Sequence, residues 1–474
     1  MRTRSSLVFA FLGLGLVGIL ALLSQGGTEG LVGRMSIHLP LWSVLPFIIL
    51  LLTIAIAPLS IPHLWEKNGF KALVSAVLAI PVALFLILGW GSAGVAEVLE
   101  KSRDYVSFIA LLAALYVIAG GVFIKGSFSG TPIANTAFLA IGAVLANLVG
   151  TTGASMLLIR PLIRANASRQ RKVHIFVFFI FVVSNVGGLL TPLGDPPLFL
   201  GFLKGVPFEW PFIHLALPWL FTNAIILIVF NLFDQAVFNK EELIRTGSQL
   251  EEVRRHEPFH IEGWINVLLL AGVLGVVIAS GQGLGNGGNT WAFGVAETLM
   301  VGLALLSLIL TKWKIHEENG FSFSPIAEVA ILFAGIFITM GPALLILNAA
   351  GDSFGITRPW QFFWAAGSLS SFLDNAPTYL TFSALASGIL GVPAEGRFIG
   401  ELLLRDGGTQ LLTAVAAGSV MMGANSYIGN GPNFMVKAIV EGSGVRMPSF
   451  FGYMLYSVGI LVPIFILVTI VFFR

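Results

Sequence analysis

Apolar runs long enough to cross a bilayer follow one another along almost the whole chain, and two of them carry the same interruption. A spanning helix needs roughly 20 consecutive apolar residues. By that measure spans are expected near 5–24, 41–60, 71–91, 105–124, 175–193, 212–234, 263–280, 291–311, 325–348, 411–428 and 449–472. The interruption reads Gly188-x5-Gly194-Asp195-x-Pro197-x-Phe199 in one copy and Gly423-x5-Gly429-Asn430-x-Pro432-x-Phe434 in the other. Backbone opened at bilayer depth survives only where protein buries it or where it lines a water-filled cavity. Two such breaks at corresponding places in two halves of a chain point to a binding site at the midplane.

Two further apolar regions, 133–163 and 361–390, are too long for one span and are broken by Gly, Pro and polar residues. The first contains Asn147, Gly150, Thr151, Thr152, Gly153 and Ser155. The second contains Asp374, Asn375, Pro377 and Thr378. Each reads as a re-entrant helical hairpin whose polar tip stops inside the membrane.

Charge sets the orientation, because cytoplasmic loops carry the excess of Lys and Arg. Arg160, Arg164, Arg169, Arg171 and Lys172 crowd the loop after the first hairpin, which places it inside. Counting spans outward from there puts the N-terminus inside and the Lys- and Arg-poor loops 25–40, 281–290 and 349–360 outside. The expected class is therefore an all-α polytopic membrane protein. Residues 1–40 form an extra N-terminal helix and external loop. Residues 41–234 form a first unit of five spans with hairpin 133–163 and broken helix 175–204. Residues 235–262 form a cytoplasmic linker read as an amphipathic helix. Residues 263–474 form a second unit with hairpin 361–390 and broken helix 411–442. The units enter the membrane from opposite sides, so they read as inverted repeats. The first 25 residues also fit a signal peptide, but the apolar run Leu7–Leu23 is long for one and no small-x-small site follows, so an uncleaved helix is expected.

Composition closes several classes. With no cysteine, thiolate and disulfide chemistry are excluded, and a net charge of +2 gives no reason to expect a nucleic-acid partner. His63, His174, His214 and His316 lack metal-ligand spacing, so no transition metal is expected. The glycine-rich stretch 281–289 lacks the strand–turn–helix setting and any Lys of a phosphate loop. No nucleophile–base pair suggests an enzyme. The expected partners are membrane lipid, small ions and, in one reading, an organic anion; no cofactor is expected beyond transported sodium and protons.

Ionisable side chains within spans are functional hypotheses by default. Asp195 and Asp374 stand at helix breaks beside Gly, Pro or Asn, where freed carbonyls, amide oxygens and a carboxylate supply the hard oxygen ligands of a cation. Either Asp could instead cap a half-helix. Glu297 and Glu328 lie in plain helical runs and read as structural. The candidate cation- and proton-binding residues are Asp195, Asp374, Asn375, Asn147, Asn185 and Asn430. Thr151, Thr152, Ser184, Thr378, Asn425, Asn433, Gly194 and Gly429 support them. Taken singly, each amide or hydroxyl reads as an interhelical hydrogen bond; their clustering at four breaks is harder to attribute to packing.

The runs SNVGGLLTPLGDPPLFLGFL (184–203), FLDNAPTYLTF (372–382) and GANSYIGNGPNF (423–434) resemble the ion transporter superfamily. That group includes arsenite permeases, citrate and dicarboxylate carriers and NhaD-type sodium/proton antiporters. The resemblance covers the chain from about residue 41 and is nearest the antiporter branch, with a further likeness to a group labelled as citrate transporters. It implies cation and proton exchange at Asp195, Asp374 and Asn375, a homodimer and an elevator-type movement. After Gly194-Asp195 this chain has Pro196, Pro197 and Leu198 where NhaD-type members carry a hydroxyl cluster. The expected function is sodium/proton antiport by alternating access. A sodium- or proton-coupled citrate carrier is the alternative, its anion held by backbone N–H groups at four half-helix N-termini.

Overall fold

A computed structural model of the chain describes residues 39–127, 129–242 and 257–474. The span expected near 5–24 and the middle of the linker 235–262 lie outside them. Among the described residues, nine helical segments are long and apolar enough to cross a membrane, and the molecule is an all-α polytopic membrane protein.

In chain order the main helices are α1 (Leu45–Ser60), α2 (Asn68–Trp90), α3 (Ser92–Gly120), α4 (Pro132–Ala165), α5 (Val173–Val182), α6 (Pro196–Leu203), α7 (Trp210–Glu242) and α8 (Ile265–Gln282). They continue with α9 (Val295–Leu310), α10 (Ser324–Ala349), α11 (Pro359–Ser370), α12 (Asn375–Ile389), α13 (Gly408–Met421), α14 (Gly431–Gly442) and α15 (Phe450–Phe472). Strand β1 (Phe123–Ser127) pairs antiparallel with β2 (Glu257–Glu262), so the end of the linker is extended. Lys125 and Glu262 meet across the pair at 2.6 Å.

α4 is two helices that double back on each other at Gly150. Gly150 sits at φ 78, ψ 154, a conformation with positive φ that only glycine adopts cheaply. On either side of it the halves meet. Asn135 and Asn166 exchange amide hydrogen bonds at 3.0 and 2.8 Å, and the Gly142 α-carbon faces Leu158. In a straight helix Asn135 and Asn166 would be about 46 Å apart. The chain turns again between α11 and α12, where Phe362 and Phe382 meet with ring centroids 6.5 Å apart.

The helices sort into two groups by what they touch. α1, α2, α3, α8, α9 and α10 pack largely on one another, but α10 also packs along α12 and α3 against α4; α4, α5, α6 and α11–α14 surround the breaks, with α7 and α15 packed side by side. α5 lies in the middle of the second group, its residues from His174 to Val182 all buried. α2 turns Leu73, Val77, Ile80, Leu84 and Leu88 outward, an apolar face suited to lipid.

α3 departs most from its expected span, 105–124. It starts at Ser92 and carries Glu97, Glu100, Lys101, Arg103 and Asp104 in its first half. Its 29 residues measure about 43 Å against a hydrocarbon core of about 30 Å. Counting apolar residues cannot register such a charged half. Here Lys101 pairs with Glu97 at 3.2 Å, and Lys204 at the end of α6 reaches both Glu100 and Asp104 at 2.6 Å. Glu297 accepts from the Gly294 N–H at 2.8 Å and from Ser107, and Glu328 pairs with Lys71 at 2.7 Å, so both acids serve structure.

Candidate ion-binding site

The repeated motif owes its two glycines to a loop that closes on itself. A Cβ on Gly194 would lie 2.1 Å from the carbonyl oxygen of Gly188, and one on Gly429 would lie 2.5 Å from that of Gly423. Neither distance is possible for real atoms, so each motif excludes any side chain there. After the closure the chain resumes as a half-helix, with proline at N1 or N2 where the missing N–H costs nothing.

The first closure leaves Asp195 in the N-cap position of α6, but its side chain does not cap that helix. The carboxylate is buried and turned to other elements. Oδ1 accepts from Thr151 Oγ1 at 2.8 Å and from Asn430 Nδ2 at 3.3 Å; Oδ2 accepts from Asn375 Nδ2 at 2.8 Å. Thr151 follows the Gly150 turn, Asn375 opens α12 and Asn430 precedes α14, so four breaks in the chain converge on one carboxylate. Among the described residues, no Lys or Arg is bonded to it. Buried Lys71, Lys101 and Lys204 are matched by their own acids.

A second layer fixes these donors. Asn430 Nδ2 also donates to the Ser184 carbonyl at 3.1 Å and to Asn185 Oδ1 at 3.2 Å. Asn185 Nδ2 donates to Asn433 Oδ1 at 2.7 Å, tying the two breaks together, and Asn433 Nδ2 holds the carbonyls of Gly423 and Ser426 at 2.9 and 2.8 Å. Asn375 Oδ1 accepts from Ser370 Oγ at 2.7 Å, and Ser184 Oγ meets Ser155 Oγ at 2.8 Å. Ser155 registers in sequence only as one of the polar residues breaking the first hairpin, and Ser370, the last residue of α11, gives no break signal of its own.

Other candidates stand apart from this group. Asn147 accepts from the Leu190 N–H at 2.8 Å, and its carbonyl accepts from Thr191 Oγ1 at 2.5 Å, so it pins the first broken helix to the hairpin. Asp374 caps α12 by accepting from Ala376 N–H at 3.1 Å, and Thr378 Oγ1 donates to the Asp374 carbonyl at 3.0 Å. Asn425 Nδ2 donates to Ser371 Oγ at 2.9 Å. Thr152, half-buried, is not among the side chains bonded to Asp195.

The half-helix N-termini are less open to an anion than four breaks suggest. Pro196 and Pro197 remove two N–H groups from the start of α6. Thr151 N–H is bonded to the Gly194 carbonyl at 2.8 Å, and the N–H of Ala376 is bonded to Asp374.

Arg169, counted in sequence as a loop charge, is buried. It donates to Asp234 at 2.7 Å, to Glu241 at 3.0 Å and to the Gly130 carbonyl at 2.9 Å, while His174 and Asn135 also contact Asp234. This network ties the foot of the α4 hairpin to α5 and α7.

A profile of a protein family described as "Putative citrate transport" matches residues 36–473 of the chain. No curated protein matches it.

Proposed function

The chain belongs to this citrate transport family of integral membrane proteins, and from that premise we propose that it is a secondary ion transporter in which Asp195 exchanges a proton for an alkali cation, sodium first. The observation that carries this reading is the convergence on Asp195 of Thr151, Asn375 and Asn430, each from a different break. A carboxyl that trades a proton for a cation needs neighbours whose dipoles can follow the change. Asn375 has that property, because half a turn of a primary amide exchanges its N–H₂ for its C=O and the Ser370 hydroxyl facing it can donate or accept, whereas Asn430 is held as a donor by Ser184 and Asn185. With Asn375 turned, the carboxylate, an amide oxygen and the Thr151 hydroxyl supply oxygens of the kind hard cations take.

This reading takes residues 41–234 and 263–474 as inverted repeats, each with one hairpin and one broken helix, as expected of alternating access. The group around the breaks would move against α1–α3 and α8–α10 in an elevator-type homodimer of a bacterial inner membrane, with the N-terminus cytoplasmic. Asp374, as a helix cap, is assigned a lesser part than Asp195. Sodium-dependent proton movement in everted vesicles tests the reading: Asp195→Asn removes it, and vesicles that keep it overturn the assignment.

The family favours a second reading, cation-coupled carriage of a citrate-type anion, with Asp195 as the coupling site. Labelled citrate taken up by proteoliposomes under a sodium gradient supports this reading; sodium-driven proton efflux without citrate uptake supports the first.

A further inference from the structure

A helix that breaks inside a membrane frees carbonyls whose N–H partners no longer lie four residues on, and each freed carbonyl needs another donor. In the second break five successive carbonyls, 422–426, find one in a side chain. Met422 accepts from Ser371 Oγ at 3.2 Å, and Gly423 and Ser426 accept from Asn433. Ala424 accepts from Tyr453 Oη at 2.8 Å and Asn425 from Ser457 Oγ at 2.6 Å. The Ser457 hydroxyl also lies 3.2 Å from the Met454 carbonyl, the longer of its two contacts. Ser371 belongs to the hairpin and Asn433 to the broken helix itself. Tyr453 and Ser457 come from outside both, one turn apart on α15, and both are fully buried. In the first break the Gly187 carbonyl accepts from Nε1 of Trp219, on α7, at 2.9 Å. Each break is thus held by the long helix that follows it.

These bonds meet the chain at the glycine closures. Gly187 precedes Gly188, whose carbonyl meets Gly194, and Asp195 follows at once. Ala424 and Asn425 lie within the loop that Gly423 and Gly429 close, and Asn430 follows it. A closed loop has few ways to move, so a donor that fixes one of its carbonyls also fixes the residue at its exit. The Tyr453 ring is held between Phe181 and Tyr427, with centroids 5.7 and 4.2 Å away, which limits where its hydroxyl can point. α7 and α15 pack side by side and give the two loops a common backing.

We propose that Trp219, Tyr453 and Ser457 are positioning residues for the cation site: α7 and α15 brace the two loops so that Asp195 and Asn430 meet. The proposal rests on the reading of Asp195 as the cation-binding acid. The bond from Asn430 to Asp195 is the longest of the three at 3.3 Å, so a small shift of either loop breaks it first.

Sodium binding to the full-length protein in detergent is read as a rise in Tm, with no transport needed. Tyr453→Phe and Ser457→Ala each remove one oxygen and leave the packing. Each is expected to raise the sodium concentration giving half of that rise about fivefold. Trp219→Phe is expected to act in the same direction from the other loop, and Ser457→Thr, which keeps the hydroxyl, to stay near the original value. A merely structural loss lowers the sodium-free Tm and leaves the half-effect concentration alone. Added to Asn430→Ala, Tyr453→Phe is expected to raise that concentration by less than about twofold more, since this brace acts through Asn430. Half-effect concentrations unchanged in all three variants, or fully additive effects in the double variant, overturn the proposal. So does sodium that leaves the Tm of the unaltered chain where it was. A chain that binds sodium with these shifts yet moves no protons sinks the exchange reading and leaves the braces standing.

Discussion

The two copies of the broken-helix motif share a backbone plan and differ in the one atom set that matters most. Both close with glycine against glycine and both restart as half-helices. At the restart the first copy carries Asp195 and the second Asn430. Asp195 accepts hydrogen bonds from three side chains outside its own broken helix; Asn430 donates to a carboxylate, a carbonyl and an amide oxygen. One motif is thus built to receive donors and its duplicate to supply them. A common closure fixes where the residue at the restart points, and the residue itself decides what the site can hold.

The sharpest way to break this comparison is to exchange the two residues. Asp195→Asn takes away the one group that can trade a proton for a cation and the charge that Thr151, Asn375 and Asn430 face, so coupled transport is expected to be lost. The double exchange Asp195→Asn with Asn430→Asp restores the acid count without restoring its place. Thr151 and Asn375 are aimed at position 195, so flux in vesicles is expected to stay below about a tenth of the unaltered chain. Full recovery in the exchanged chain would show that the copies are equivalent and the asymmetry incidental.

The glycines sharpen the contrast at the level of packing. In Gly194→Ala the new methyl meets the Gly188 backbone, which has no rotamer to move to. A loss of about 3 kcal/mol is expected, read as a lowered Tm in detergent. In Gly423→Ala the methyl meets the Asn375 side-chain oxygen, which can swing aside. Stability should fall by about 1 kcal/mol, yet transport should fall further, because the displaced amide belongs to one of the three side chains that hold Asp195, the others being Thr151 and Asn430.

How much of this was legible in sequence depended on whether the cause was local. Gly and Pro at the breaks, polar residues at the hairpin tips and the run of spans all announce themselves within a few residues, and the structure has helix breaks at those places. Partner choice does not. Asn185 finds Asn433 and Asp195 finds Asn375 across far-apart stretches of chain, and no local pattern separates those amides from Asn147, which pins backbone instead. The first half of α3 was missed because its charges are satisfied by Lys204 from a distant helix. The isolated Lys204 in an apolar run was the available clue, since a buried ammonium requires a partner.

Asn430→Ala should cost about tenfold in transport, less than loss of the acid, because its 3.3 Å contact to Asp195 is the longest of the three and Thr151 and Asn375 remain. A cost equal to that of Asp195→Asn, measured in the same vesicles, would make the amide an equal member of the site.

The smallest expected effects belong to Asp374, the acid that sequence ranked beside Asp195. Its side chain accepts from Ala376 N–H and so serves the first turn of α12. Asn caps a helix about as well as Asp, whereas Ala gives up about 1 kcal/mol. Asp374→Asn should therefore leave both Tm and transport near their original values, and Asp374→Ala should lower stability by about that amount with only a few-fold loss of flux. A charge-bearing role predicts the opposite order, with Asn as damaging as Ala. Measuring Tm and sodium-dependent proton movement for both variants separates the two, because a cap responds to hydrogen-bonding shape while an ion site responds to charge.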